Sequence, residues 1–201
     1  MLRGNAAVAE VANIFCKMIA QPGFRPEVGS ELYILAKTLR NAPPLGKYMI
    51  GLASGQMHEA LLRQASGTAE RRFIIASDRL GNAAFANAIV PAEVFQKRTG
   101  MTPLVVYGQN VGAVTGPTAA AGIAEEAKGR GVHIICPAQG FHAKFLLWGD
   151  TDIVITSLNW GSATVSPNTP YAEVGIHLQG PGLVEQFLMR LKPAWTFLDQ
   201  G

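Results

Sequence analysis

The chain has 201 residues, 48% hydrophobic and 15% charged, a balance that excludes intrinsic disorder and supplies material for a large buried core. Its 17 Lys and Arg against 14 Asp and Glu give a formal net charge of +3, compatible with a polyanionic partner but far from a dense basic stripe. Two cysteines, Cys16 and Cys136, exclude a disulfide scaffold and lack metal-ligand spacing, so neither a metal nor another cofactor is expected.

In chain order, the first stretch reads as helices. Ala6–Ile19 is rich in Ala and Val and ends at Pro22-Gly23, Glu31–Arg40 stops before Pro43-Pro44, and Gln56–Gln64 forms a short third segment. Near the N-terminus Arg3, Glu10 and Lys17 leave no clean apolar core and no small-residue cleavage site, so no secretory leader is expected. After Ser66-Gly67 the pattern alternates. Phe73–Ala76 reads as a strand followed by a polar turn, Ser77-Asp78-Arg79, and a helix around Ala83–Val90. Leu104–Tyr107 is a second strand, and a Gly-rich connection, Gly108–Gly116, leads to a helix around Ala119–Lys128. Val132–Cys136 is a third strand, in which Cys136 is expected to be a buried thiol. Strand, helix, strand, helix, strand implies parallel pairing through crossover helices. A hairpin, a strand Glu173–Leu178 and a helix around Leu183–Leu191 complete the chain. Residues 1–67 are thus expected to form a helical N-terminal region and residues 68–201 an α/β catalytic domain. The longest uncharged stretches, Met101–Ala124 and Ile153–Ala172, are broken by Gly, Pro and Asn, so no membrane span and a cytoplasmic location are expected.

The segment 141–160 reads FHAKFLLWGDTDIVITSLNW, two apolar arms around Gly149-Asp150-Thr151-Asp152, a strong turn signal. Folding between Asp150 and Thr151 sets His142 opposite Asn159, Lys144 opposite Ser157 and Leu146 opposite Ile155. Alternate strand residues share a face, so this register gathers His142, Lys144, Ser157 and Asn159 on one side. Uncompensated polar groups within so apolar a hairpin cost free energy. Lys144 offers fixed positive charge and Ser157 and Asn159 neutral donors, a set suited to the non-bridging oxygens of a phosphate. An imidazole beside that cradle can attack phosphorus or pass a proton.

At these residues the sequence resembles the phospholipase D superfamily, whose signature is H-x-K, four residues, D, six residues, then G-S/G-x-N. His142-Ala-Lys144 and Thr156-Ser157-Leu-Asn159 keep the His-to-Ser and His-to-Asn spacings. The resemblance covers about Arg71 to Leu191 and includes Tyr171-Ala-Glu173-Val-Gly on the next strand. It implies the superfamily's α/β repeat, a mainly parallel mixed sheet flanked by helices with a catalytic β-hairpin, and it implies that Glu173 orients the catalytic histidine. Two positions depart from the pattern: Gly149 stands where the family has Asp, with Asp150 one place later, and Thr156 replaces the usual Gly.

Superfamily members pair two such motifs, one histidine forming a phosphohistidine while the other protonates the leaving group and then activates water. This sequence holds one. His58, His133 and His177 all lack a Lys two residues on. A homodimer is the simplest source of the second motif; a second repeat, with this chain as the C-terminal part of a two-motif enzyme, is the rival. The single-motif dimeric members it resembles are mostly endonucleases, so the expected activity is metal-independent cleavage of nucleic acid, DNA foremost. Ser77, Asp78 and Arg79, at the C-terminal end of the first strand, are candidate substrate-binding groups. The alternatives are a phospholipase or phosphatidyl transferase, against which stands the absence of an amphipathic basic helix, and a non-catalytic nucleic-acid-binding subunit.

Overall fold

The computed structural model describes residues 2–3, 48–137, 141–162, 173–191 and 195. The helices expected over Ala6–Ile19 and Glu31–Arg40, together with Cys16 and Tyr171, lie outside these residues. The chain divides into two units, Met1–Gly51 and Leu52–Gly201. In the first, the short strand β1 (Leu2–Arg3) runs antiparallel to the start of β2 (Met49–Ser54), Leu2 opposite Ile50.

The second unit begins within β2 and holds α1 (Met57–Thr68), β3 (Phe73–Leu80), a π-helical turn (Phe85–Ile89) continuing into α2 (Val90–Thr99), and β4 (Leu104–Asn110). A 3-10 turn (Gly112–Val114), α3 (Pro117–Gly129), β5 (His133–Ile135), β6 (Phe145–Trp148), β7 (Asp152–Thr156), β8 (Val174–Gln179) and α4 (Leu183–Leu191) follow. Within this unit the sheet runs β8-β7-β6-β3-β4-β5. β3, β4 and β5 pair in parallel, as the alternation of strands and helices implies, but β3-β6, β6-β7 and β7-β8 are antiparallel. The sheet is therefore mostly antiparallel and not mainly parallel as expected, the hairpin and its neighbour adding antiparallel strands beside β3. The segment 56–64, read as part of the N-terminal region, is the start of α1 and belongs to this second unit.

Period-2 alternation of the central strands sorts the core into two layers. Phe73, Ile75, Leu146, Trp148 and Val154 pack with Leu61, Leu62 and Ala65 of α1 and Ala92 and Phe95 of α2. Ile74, Ala76, Phe145, Leu147 and Ile153 pack with Val184 and Leu188 of α4. Trp195 stacks on Phe145 and tilts against Phe141. No helix among the described residues is long and apolar enough to cross a membrane.

Several local expectations are corrected. Ser77-Asp78-Arg79 is not a turn. β3 continues to Leu80 because it stays in register with β4, Ser77 opposite Tyr107 and Arg79 opposite Gln109. Likewise β4 extends to Asn110, shortening the Gly-rich connection. The helix expected to end at Val90 runs to Thr99, since Pro91 falls in the first turn of α2, where a missing N–H costs little. Cys136 is exposed: the last paired residue of β5 is Ile135, and Cys136 lies one step beyond it.

The hairpin register also differs by one. Phe145 lies opposite Ile155, Leu146 opposite Val154 and Trp148 opposite Asp152, leaving Gly149-Asp150-Thr151 as the loop. Gly149 adopts φ +59°, and its N–H reaches the Arg71 and Arg72 carbonyls, both at 3.1 Å. The Asp150 carboxylate accepts from Arg71 Nη1 at 3.1 Å and Arg72 Nη1 at 2.8 Å. Asp150 is therefore the clamp of the turn. In this register Lys144 opposes Thr156, whose N–H bonds the Lys144 carbonyl at 3.2 Å, so the four motif residues do not share a face by simple alternation.

Candidate functional site

His142 and Lys144 occupy the extended segment that leads into β6, at the end of the hairpin away from its turn. Phe141 pins that segment. Its ring is buried under Trp195, and its carbonyl lies so close to Gly108 that any Cβ there would overlap it. Lys144 Nζ is 3.4 Å from His142 Nδ1 and 3.4 Å from the His142 carbonyl oxygen. The two side chains differ in access: His142 is 81% exposed and Lys144 only 15%.

Beneath them is Asp78, on β3, 3% exposed. Its Oδ2 is 3.5 Å from His142 Nε2, 4.0 Å from Lys144 Nζ and 3.4 Å from Arg79 Nε. Gln109 of β4 donates Nε2–H to Oδ1 at 3.4 Å. A carboxylate this buried needs partners, and every group converging on it here is a cation, a donor or the imidazole. Of the expected trio 77–79, Asp78 is the residue that meets the His-Lys pair, and Arg79 is half-exposed beside it. Ser77 is fully buried. Its hydroxyl donates to the Arg79 carbonyl at 2.8 Å and accepts Gly161 N–H at 3.1 Å, which ties the turn after Trp160 to β3.

Ser157 and Glu173 form a second cluster. Where β7 ends, Ser157 N–H bonds the Val174 carbonyl at 3.0 Å and Val174 N–H returns a bond to Ser157 Oγ at 3.0 Å. The Ser157 hydroxyl donates to the Glu173 carboxylate. Glu173 is thus bonded to Ser157, and the carboxylate beside His142 is that of Asp78. Asn159 accepts Ser162 N–H through its carbonyl at 3.0 Å, and its Oδ1 is buried without a donor among the described residues. Turned over, that amide presents two N–H donors instead. The link from this cluster to the first is the Thr156 N–H to Lys144 carbonyl bond.

Three contributors escaped the sequence reading. Gln109 lay in what looked like a loop. Gly175, opposite Thr156, has no room for a Cβ: one would lie 2.7 Å from the Ile155 oxygen and 2.7 Å from Thr156 Cβ. His58 was set aside for lacking a partner lysine, yet it is fully buried with Nε2 2.7 Å from Thr156 Oγ1. Burial pushes its imidazole below the ordinary histidine pKa, opposed by the bond to the Gly55 carbonyl and the negative charge of Glu173. A signal was present: His58 falls three and four residues before Leu61 and Leu62, on the apolar face of α1, where a polar ring must find a partner.

The sequence matches no protein-family model and no curated protein. Solved structures do match. Nuc from Salmonella typhimurium, described as a phospholipase D family member, aligns with 74% of this chain and 95% of its own at 13% identity and a TM-score of 0.51. NucT from Helicobacter pylori aligns over 76% and 96% at 13% identity and a TM-score of 0.51. A polyphosphate kinase from Porphyromonas gingivalis aligns over 77% of this chain and 27% of its own at 15% identity and a TM-score of 0.50. The chain therefore shares the fold of these structures, the fold that the His142-to-Asn159 resemblance implied.

Proposed function

We propose that this chain is a phosphodiesterase cleaving nucleic acid, DNA foremost, through a phosphohistidine at His142, with the second histidine supplied by another copy of the chain. The observation that carries this reading is the pairing of an exposed imidazole with a sheltered ammonium 3.4 Å away, over a buried carboxylate, at one end of the sheet. Lys144 is shielded enough for its charge to act strongly on a phosphoryl oxygen. His142 is accessible enough to reach phosphorus.

Asp78 gives His142 its direction. With Nε2–H turned to Asp78, the carboxylate holds the proton on one ring nitrogen and leaves the other, Nδ1 beside Lys144, with its lone pair free. The freed nitrogen attacks phosphorus, an N–P bond forms and the P–O bond to the leaving group breaks. The leaving oxygen takes a proton from the same histidine of the second copy. That histidine, now neutral, accepts a proton from water, whose oxygen attacks phosphorus as the N–P bond breaks. An isologous dimer supplies both histidines from one sequence. Lys144 supplies the positive charge this scheme needs, so activity is expected to survive chelation.

A second reading, a non-catalytic nucleic-acid-binding subunit, draws on the carboxylates already in place. Asp78 holds Lys144 and Arg79, and Glu173 holds Ser157, the groups a phosphate would otherwise engage. Supercoiled plasmid in excess EDTA separates the two, with phosphatidylcholine vesicles run in parallel and the mass of the particle measured in solution. Nicking by a dimer, lost in His142→Ala and reduced about 10²–10³-fold in Lys144→Ala, is the expected result. Plasmid binding without nicking supports the second reading, and turnover of lipid alone refutes both.

A further inference from the structure

We propose that His58 is a positioning residue for this site: through the Thr156 hydroxyl it fixes the course of 157–159, and so the placing of Ser157 and Asn159. The inference rests on the phosphodiesterase reading for its kinetic consequence, and on geometry for the rest. His58 Nδ1 lies 3.1 Å from the Gly55 carbonyl oxygen, which can only accept, so Nδ1 carries the proton. In the neutral ring Nε2 is then an acceptor, and the group 2.7 Å from it, Thr156 Oγ1, must donate. With its proton committed to His58, Thr156 Oγ1 is oriented to accept Leu158 N–H at 3.0 Å. The competing acceptor for that proton, the Val174 carbonyl, is farther away at 3.3 Å.

The consequence runs along the backbone. Thr156 N–H is held by the Lys144 carbonyl at 3.2 Å, and its side chain holds the amide two residues on. One residue therefore joins the Lys144 segment to the start of the Ser157–Asn159 bend, and His58 decides which way its hydroxyl points. The imidazole cannot turn away from this task. It is fully buried, its ring meets the edge of Trp160 at 5.6 Å and 67°, and both nitrogens are engaged. For the same reason it is not the missing second catalytic histidine, since no phosphate reaches it. Gly175 completes the arrangement by leaving the space across the β7-β8 pair that Thr156 Cβ occupies. Where the superfamily signature has a glycine, this chain carries a β-branched residue whose hydroxyl is bonded from below and whose bulk is accommodated from the side.

The test uses the full chain and two kinds of readout. Thr156→Val keeps the shape and removes the hydroxyl; His58→Gln keeps an acceptor and serves as the second variant should the valine chain fail to fold. In ¹⁵N spectra of the wild type, His58 is expected as the Nδ1–H tautomer. In Thr156→Val the Ser157, Leu158 and Asn159 amides are expected to shift while those of α2 stay in place. With bis(4-nitrophenyl) phosphate, kcat is expected to fall about 10–100-fold with KM changed little, as for a small misplacement of catalytic groups, and Thr156→Ser is expected to recover most of the loss. Unmoved 157–159 amides in a folded Thr156→Val chain, or an Nε2–H tautomer at His58, would overturn the proposal. A wild-type chain inert toward every phosphodiester would remove the phosphodiesterase reading, and the amide shifts and tautomer would still decide whether His58 positions the segment.

Discussion

Gly175→Ala is the sharpest test of the β7-β8 geometry on which the site depends. The added Cβ would meet the Ile155 oxygen and Thr156 Cβ, each at 2.7 Å. Carbon atoms rest about 3.5–4.0 Å apart, so the two strands must separate by roughly 0.8 Å or more at this point. Neither can do so freely. β7 is bonded to β6 on its other side, and Thr156 is tied to Lys144 and His58. Overpacking of this kind costs about 1–3 kcal/mol, and a unit of roughly this size loses about 2–4 °C of Tm per kcal/mol. A fall of about 2–12 °C is expected by circular dichroism or calorimetry. Should Gly175→Ala melt within about 1 °C of wild type, this strand geometry would be refuted.

Other consequences are equally accessible. Asp152, 4% exposed, accepts from His177 Nε2 at 2.8 Å, Gln179 Nε2 at 2.9 Å and Thr151 Oγ1 at 2.6 Å. Leaving buried donors without their acceptor costs about 1–3 kcal/mol, so Asp152→Ala should lose about that much in urea unfolding, and a loss below about 0.5 kcal/mol would contradict the assignment. Stability should also fall on the acid side in two steps. The His58 pKa is depressed, chiefly by burial, so the unfolded chain binds a proton that the folded chain refuses; the resulting stability is complete above about 6.5 and is lost as pH falls through the folded value. Glu93 is depressed by hydrogen bonds from Lys97 and then Arg130, and its contribution is present above about 4.5 and lost below. His58→Gln should flatten the first step and leave the second, as followed by Tm against pH. An unchanged first step would remove His58 as its source.

The sequence revealed most of the architecture because its signals were local. The apolar arms of the hairpin, the Gly-Asp turn, the β3-β4-β5 alternation and the helix Leu183–Leu191 each follow from periodicity and turn chemistry within a few residues. What it hid was set by distant partners. Ser77-Asp78-Arg79 is polar enough to read as a turn, but parallel pairing with Tyr107 and Gln109, about thirty residues away, keeps it a strand. The two strands of the hairpin were legible, whereas their register depends on residues far off in sequence, Arg71 and Arg72 on Asp150 and, above all, His177 and Gln179 on Asp152. The site suffered the same division. His142 and Lys144 were visible as a pair, and the carboxylate beneath them was visible only as one of three polar residues. Glu173 was assigned to the histidine through the resemblance, and the sheet hands it to Ser157 instead.

The register has physical causes beyond the turn, since a slip of one residue would exchange the two faces of a strand. At the turn end, Asp152 is the decisive residue. It stands opposite Trp148 on β6 and Gln179 on β8, and its carboxylate bonds the side chains of Gln179 and His177 on β8, with Trp148 stacked on the His177 ring at 5.3 Å. Slide β7 by one position and this buried carboxylate leaves both donors, while Ile153 leaves the α4 side and Val154 the α1 side, each for the other. Both changes carry a free-energy cost, so the polar cluster and the apolar alternation select the same register. The far end inherits that choice. Because Trp148 faces Asp152, Lys144 must face Thr156, and Thr156 must point toward α1, where His58 waits for its hydroxyl. The pairing of Lys144 with Thr156 is thus set in part by the polar cluster around Asp152 at the opposite end of the same hairpin.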